Sequence, residues 1–372
     1  IKYFSGYKIK NNNISYSDIE FYNIFREKSS IVHAKRQQKI SHRYNIKREF
    51  IQYNSKFLIS SEIYNQGFNT EQKKIIENNY TSGSYYRIFP ILSLSVETPF
   101  KISRNLPNLT LKPKIQITAT PGNSNSDKLS NEDSTNNDFS IDNIYSLNRY
   151  SGNDKMDNSK RITYGLFANT ENLKTTLSQY YEYTNNSNFH KEQGNEKKIS
   201  DLLGSIEYSS KYDLIYNFRY DFDDSFLKKQ KIDFNSDLKF GKINISYLDQ
   251  NSKVNDIVNK DIETLNYSFV SKKISKFSKI DFTGLYDLKE EINKEYKIGY
   301  SYFDECFGIS LDFNRKSYKE DNLAPQDILT LMFSFKNIGS YKSTNLAVSE
   351  NDKEDIIWEN YSVDNEKFAK NN

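Results

Sequence analysis

Asp213-Leu214-Ile215-Tyr216-Asn217-Phe218-Arg219-Tyr220-Asp221-Phe222 decides the fold class. Successive side chains of an extended chain point to opposite faces. Leu214, Tyr216, Phe218, Tyr220 and Phe222 therefore share one side, and Asp213, Asn217, Arg219 and Asp221 share the other. An aromatic face backed by a charged face requires apolar surroundings on one side and water on the other. The pattern returns about every twenty residues, as expected of repeated membrane-crossing strands with their connections.

Working outward, period-two alternation marks strands with one buried face. It is legible around Phe21, over residues 57–63, 88–96, 109–117 and 162–168, and almost continuously over 202–335. Ile232, Phe234, Leu238 and Phe240 lead into Gly241-Lys242, after which Ile243, Ile245 and Tyr247 resume on the same face, a hairpin signature. The reading gives about seventeen strands, each long enough to cross an outer membrane when tilted. Short connections fall near residues 11–13, 101–108, 170–172, 209–211, 241, 272–276 and 304–305. Longer ones fall at 26–38, 66–83, 121–159, 186–200, 251–260 and 316–325. This alternation of long and short follows when hairpins cross a membrane with short periplasmic turns on one side and long external loops on the other. Residues 1–339 are thus expected to form barrel strands. Residues 340–372, polar and charged with Trp358 isolated among them, are expected to form a loosely ordered tail.

Composition narrows the function classes. Tyr 29 and Phe 25 stand against Trp 1 and Met 2, so the aromatics sit within polar sequence. A/T-rich coding also yields abundant Asn, Lys, Ile and Tyr, but a coding bias does not produce alternation. No run of about eighteen apolar residues exists, which excludes a conventional transmembrane helix and leaves membrane strands open. Lys+Arg 52 against Asp+Glu 49, a net +3, supplies no global field for nucleic acid. One cysteine and the scattered His33, His42 and His190 offer no metal or thiol-redox spacing, and there is no phosphate-binding loop or dinucleotide fingerprint. No enzyme activity, metal or cofactor is expected. Ile1 to Lys10 lacks the apolar core of a signal peptide and the chain opens on Ile1, so it reads as a mature or partial piece of something longer.

The richest stretch for chemistry is residues 121–165: Ser130-Asn131-Glu132-Asp133-Ser134, Asp142-Asn143-Ile144-Tyr145, Asn148-Arg149-Tyr150-Ser151-Gly152-Asn153-Asp154-Lys155 and Arg161-Ile162-Thr163-Tyr164-Gly165. It reads as an acidic, Asn-rich loop of turn formers running into a strand. Arg161 and Thr163 then face the lumen, and Ile162 and Tyr164 face lipid. Asp and Asn are also calcium ligands, but the spacing fits no EF-hand loop.

Those residues resemble the LptD family of lipopolysaccharide-assembly proteins, particularly its alphaproteobacterial versions. There, an Asn-Glu-Asp-Ser loop precedes an Asn-Arg-aromatic-x-Gly-x-Asp-Arg segment and a strand ending Tyr-Gly. Arg87-Ile88-Phe89-Pro90 with Thr98-Pro99-Phe100 is similar to the family's Arg-x-x-Pro strand, and Asp304-Glu305-Cys306-Phe307 with Arg315 to its C-terminal cysteine strand. Three motifs keep the family's order over roughly residues 40–338. Lys155 stands where Arg is usual, and Asn158 where Gly is common.

The resemblance implies an antiparallel transmembrane β-barrel integral to the outer membrane, with a periplasmic C terminus. Its cargo would be lipopolysaccharide, released into the outer leaflet through a lateral opening between the first and last strands. It further implies an LptE-like lipoprotein plug, an LptA-like periplasmic bridge reached through an N-terminal domain, and insertion by the barrel-assembly machinery. About seventeen strands fall short of the roughly twenty-six of the family, so the chain is expected to be the C-terminal slice of a larger barrel, with an upstream β-jellyroll and some nine strands. Relatives join C-terminal cysteines to the N-terminal domain. Cys306, at a periplasmic turn, is left as either such a disulfide or an unpaired thiol, and Phe307 occupies the second cysteine position.

Counting hairpins back from Phe335 makes 121–159 an external loop of a size that usually carries function. It is expected to fold into the lumen, with Arg149, Asp154, Lys155 and Arg161 as candidates for a polar network that blocks or lines the path or meets lipid A phosphates. Ordinary lumen salt bridges are the competing role. The rival for the whole chain is a self-contained porin or specific channel of about sixteen strands. An outer-membrane protease or lipase barrel and a soluble β-sandwich stand behind it.

Overall fold

The computed structural model describes residues 2–10, 13–76, 79–102, 108–121, 125–134, 139–184, 197–251, 261–272, 274–275, 277–317, 326–336 and 339–347, with the backbone alone at 2–10 and 339–347. Among these residues every regular element is a strand, nineteen in all. They are β1 (Lys2–Lys10), β2 (Asn13–Phe25), β3 (Arg36–Gln52), β4 (Ser55–Ile76), β5 (Asn79–Glu97), β6 (Phe100–Ile102), β7 (Leu109–Ala119), β8 (Lys160–Asn169), β9 (Leu173–Glu182) and β10 (Leu202–Ser209). Then follow β11 (Tyr212–Asp221), β12 (Phe226–Asp237), β13 (Gly241–Gln250), β14 (Ile262–Ser271), β15 (Ser278–Asp287), β16 (Ile292–Phe303), β17 (Phe307–Lys316), β18 (Gln326–Phe335) and β19 (Gly339–Ala347).

Three differences from the expected layout have local causes. β6 carries on from β5 after Thr98-Pro99, and both pair with β7, so Pro99 splits one stave into two elements. The expected loop at 66–83 is instead strand: β4 and β5 stay paired from Lys56↔Glu97 to Ile76↔Asn79, a long hairpin along which β3 accompanies β4 as far as Arg36↔Glu71. β19 pairs with β18 as far as Ile328↔Ala347, so strand continues past residue 339 into the stretch expected to be tail. Residues 348–372, including Trp358, lie outside the described residues.

Contacts divide the chain into two compact units. The first holds β1 to β9, the start of β10 and residues Phe218–Leu227; the second holds β12 from Lys228 onward to β19. Within each unit consecutive strands pair antiparallel, an up-and-down meander.

The pairing registers convert the alternation of single strands into rows across the sheet. In the second unit Ile243, Phe269, Phe282, Ile298, Phe313 and Leu329 are successive cross-strand partners from β13 to β18. One residue along, Asn244, Ser268, Thr283, Lys297 and Asn314 form the neighbouring row on the opposite face. In the first unit Ile59, Leu94, Ile117, Ile162 and Tyr181 form an apolar row from β4 to β9. Ser60, Ser93, Thr118, Arg161 and Glu182 lie beside it on the other face. Because the side-chain period is two, a one-residue slip would exchange these faces, so the register is fixed by where the apolar surface goes. The apolar rows are the exposed ones: Leu94, Ile117, Tyr164 and Leu166 are open on the outside of the first unit, as Ile298, Tyr300 and Leu311 are in the second. A sheet that exposes its greasy face and turns its polar face inward is built for lipid surroundings.

Candidate functional site

The polar face of the first unit is covered by the described residues of the connection between β7 and β8, 120–121, 125–134 and 139–159. Thr120 and Ser159 close its neck: the Ser159 N–H donates to Thr120 Oγ1 at 2.9 Å, and the Thr120 hydroxyl lies 3.1 Å from the Ser159 carbonyl. Two apolar anchors hold the loop to the wall. Met156 and Leu147 pack on Tyr64, Phe89 and Ile91 of β4 and β5. Phe139 and Ile144, flanked by Ile141 and Tyr145, pack on Tyr180 of β9 and Leu203 of β10. Each fully buried side chain of this kind contributes about 1.5–3 kcal/mol, enough together to offset part of the ordering of a long loop.

Between the anchors two loop segments clasp each other through their carboxylates. The Asp133 side chain accepts from the backbone N–H groups of Asn153 (3.0 Å) and Asp154 (2.8 Å). The Asp154 side chain returns the contact, accepting from the N–H groups of Glu132 (2.7 Å) and Asp133 (3.2 Å). Lys39 of β3 enters between them, its Nζ 3.1 Å from Asp133 Oδ2 and 2.6 Å from Asp154 Oδ1, and the Tyr22 hydroxyl of β2 adds a donor to Asp154 at 3.0 Å. The Lys39 ammonium is fully buried, so its charge depends on these partners. Burial and the neighbouring Asp133 push the Asp154 carboxyl up while Lys39 opposes them. Burial also acts to raise Asp133, but Lys39 and the Asp154 and Asn153 amides outweigh it and hold Asp133 below the ordinary carboxylate value. Gly152 is required here by space: a Cβ at this position would overlap the backbone carbonyl of Asp133.

A second ionic cluster sits nearer the neck. Arg149 grips Asp157 with two nitrogens, Nε at 2.5 Å and Nη2 at 3.0 Å, and reaches Glu182 of β9 at 3.3 Å. Arg161 of β8 meets Asp157 at 3.1 Å and donates to the Ser146 carbonyl. Glu182 also accepts from the Ser159 hydroxyl (2.5 Å) and the Lys160 N–H (2.8 Å). Two guanidinium groups and two carboxylates balance in charge within a fully buried space, which a buried ion cluster must do to exist. Burial works against the Arg149 charge, but Asp157, Tyr180 and Glu182 outweigh it and raise its pKa.

The connection between β2 and β3, residues 26–35, locks the loop from outside. Arg26 pairs with Glu132 through both oxygens, the Ala34 N–H donates to Ser130 Oγ at 2.7 Å, and the Asn131 N–H donates to the Val32 carbonyl at 3.1 Å. The Asn-Glu-Asp-Ser and Gly-Asn-Asp segments are therefore one structural device, the two halves of the Asp133–Asp154 clasp.

Residues 5–326 match the family described as LptD, LPS transport system D. The chain belongs to the LptD family. It is accordingly a β-barrel component of lipopolysaccharide transport in the outer membrane, and the family is one of transport and assembly proteins. No curated protein matches the chain. Among solved structures, a mutant Rh. blastica porin is 10% identical, with 85% of this chain and 95% of that chain covered at a TM-score of 0.32. Another mutant of that porin is 8% identical, covering 69% and 86% at a TM-score of 0.30. Likeness at that level carries no argument about this chain.

Of the residues singled out from the sequence, Arg161 and Thr163 are buried on the covered face, while Tyr164 is exposed on the other. Arg149 and Arg161 do meet, through Asp157, but Asp154 stands in the separate Lys39 cluster. Lys155 joins neither: its ammonium lies 5.9 Å from the Tyr150 ring centre, and its N–H donates to Ser134 Oγ. Cys306 is exposed and free in the turn between β16 and β17, where Asp304 accepts from its N–H at 2.9 Å. Sequence reading did not single out Lys39, Tyr22, Asp157 or Glu182. The available signal was a lysine at an inward position of β3, between Gln37 and Ser41.

Proposed function

We propose that lipopolysaccharide crosses the outer membrane through the lumen of this barrel and leaves sideways, between the first and last strands, into the outer leaflet. An LptE-like lipoprotein plugs the barrel, an LptA-like bridge delivers cargo from the periplasm, the barrel-assembly machinery inserts the protein, and the C terminus faces the periplasm. The observation that supports this reading is the loop 120–159, held on the polar face by balanced buried ion clusters. Arg149, Asp154 and Arg161 act in it by fixing the loop where it blocks or lines the path, with Lys155 at its margin. Cys306 is offered to a disulfide with a periplasmic domain.

Depletion of the protein tests the transport role: lipopolysaccharide should accumulate on the periplasmic side while surface lipopolysaccharide falls. Unchanged surface lipopolysaccharide after depletion would refute it. Charge reversal at Arg161 tests the lining role, which fails if surface lipopolysaccharide and antibiotic permeability both stay as in wild type. Equal mobility of the full-length protein on reducing and non-reducing gels would remove the disulfide.

A further inference from the structure

Beneath the covering loop, on the side away from the neck, lies a cavity of about 370 Å³ within the first unit, a size suited to a small ligand. Its walls are β3, β4, β5 and β7, and its roof is the underside of residues 145–153. Three cationic side chains, Arg43, Lys47 and Lys114, line it against one carboxylate, Glu62. Glu62 is already occupied by the Asn45 amide at 2.5 Å and the Tyr64 hydroxyl at 2.8 Å, and Arg43 is paired with Asp18 at 2.7 Å. Lys47 and Lys114 have no carboxylate within salt-bridge distance among the described residues. Lys114 instead stands 4.2 Å from the ring centre of Tyr145. The remaining lining mixes hydroxyls and amides, Ser60, Ser93, Ser95 and Gln116 among them, with Leu58, Leu147 and tyrosine rings.

We infer that this cavity binds a phosphorylated saccharide and serves as a waiting site below the loop. Two ammonium groups with no carboxylate partner among the described residues, that of Lys114 resting on the Tyr145 ring, supply the charge-assisted contacts that a phosphate requires. The serines and the Gln116 amide offer both donors and acceptors to sugar hydroxyls. The roof is the clasped loop itself, so a ligand held here meets the barrier that must move for anything to pass. The inference rests on the transport reading above and adds to it the chemistry of the part recognised and the place where it pauses.

Calorimetric titration of the full chain, folded in detergent, separates the chemistry. Glucose 6-phosphate should bind at least tenfold more tightly than glucose or inorganic phosphate, and Lys47→Gln with Lys114→Gln should weaken it at least tenfold while the folded band on unheated gels is kept. Equal affinity for the three probes, or no change in the double variant, overturns the site. In cells, a photoactivatable residue replacing Ser95 should cross-link lipopolysaccharide, as should one replacing Asn266 on the polar face of the second unit, which shows that a lipid-linked sugar is the occupant. Cross-linking at 266 without cross-linking at 95 overturns the waiting site and leaves the lumen route standing. Absence of cross-linking at both positions overturns the route and the site together.

Discussion

The polar faces of the two units follow one sequence rule and end in different physical states. In the first unit, loops 26–35 and 120–159 cover the face, and Lys39, Arg149, Asp154, Asp157, Arg161 and Glu182 are all buried there. In the second unit no described segment covers it. There Lys297 and Asp312 stay more than a quarter exposed, and a cavity of about 650 Å³ opens among Asp233, Asn235, Ser246, Asn266, Ser268 and Glu295. Alternation places a residue on a face, but what that residue is worth depends on whether another segment removes its water. Buried ion clusters bring little net stability when intact and cost much when broken, whereas exposed pairs do little either way. The cover is therefore fixed in place by a few partners whose loss should release it.

Asp154→Ala should have the largest effect. It leaves the fully buried Lys39 ammonium with Asp133 alone and strips acceptors from the Glu132 and Asp133 amides. The expected cost is about 3–5 kcal/mol against the closed loop. It should be read as new protease cleavage within 120–159 and entry of large antibiotics, with the barrel still folded on unheated gels. Wild-type protease resistance would remove the clasp from the account of what holds the cover.

Gly152→Ala comes next, because it adds volume and removes no charge. The new Cβ meets the Asp133 backbone, so the two clasped segments must separate, at about 1–3 kcal/mol. Partial cleavage at the same sites as in Asp154→Ala is expected, and a variant as resistant as wild type would show that the segments have slack.

The clasp also sets a pH dependence with a definite sign. Asp133 titrates below its ordinary 3.8 in the folded loop, so its contribution is present above that value and is lost as pH falls through the lower folded value. Asp154 is shifted up from 3.8, so its contribution runs the other way, present at low pH and lost as pH rises through its folded value. Asp133→Asn should therefore flatten the acid limb of loop protection below pH 3.8. An acid limb as steep as that of wild type would assign the effect to other carboxylates.

The sequence made the strands legible and the clasp only in part. Period two survives in any register, so Leu214 to Phe222 or Ile162 to Tyr164 can be read without knowing the neighbouring strand. The long β4–β5 pairing escaped because Gln66-Gly67-Phe68-Asn69-Thr70-Glu71-Gln72 offers one apolar side chain, Phe68, and no alternation, and β19 escaped because Ser340-Tyr341-Lys342-Ser343-Thr344-Asn345 gives little alternation. The loop motifs were visible as turn formers, and Asp133 and Asp154 were both in view. Their shared cation was not, since Lys39 arrives from β3 and pairing of this kind is decided by the sheet. For the same reason Arg149, Asp154 and Arg161 were expected in one network, whereas Asp157 and Glu182 draw the two arginines away from Asp154.

The smallest expected effect tests the other side of the comparison. Lys297 and Asp312 face each other at 3.0 Å on β16 and β17 of the second unit, 39% and 29% exposed. Their separation is close to that of the Lys39 pairs, so distance alone would rank them as equals. Solvent screens the pair, and both side chains regain hydration when parted, so Lys297→Gln should cost about 0–1 kcal/mol. Urea titration of the folded band, run beside Asp154→Ala, reads the difference directly. If Lys297→Gln proved as damaging as Asp154→Ala, the second face would have to be covered in the membrane by something outside the described residues. Its polar row would then be a docking surface and not an open wall.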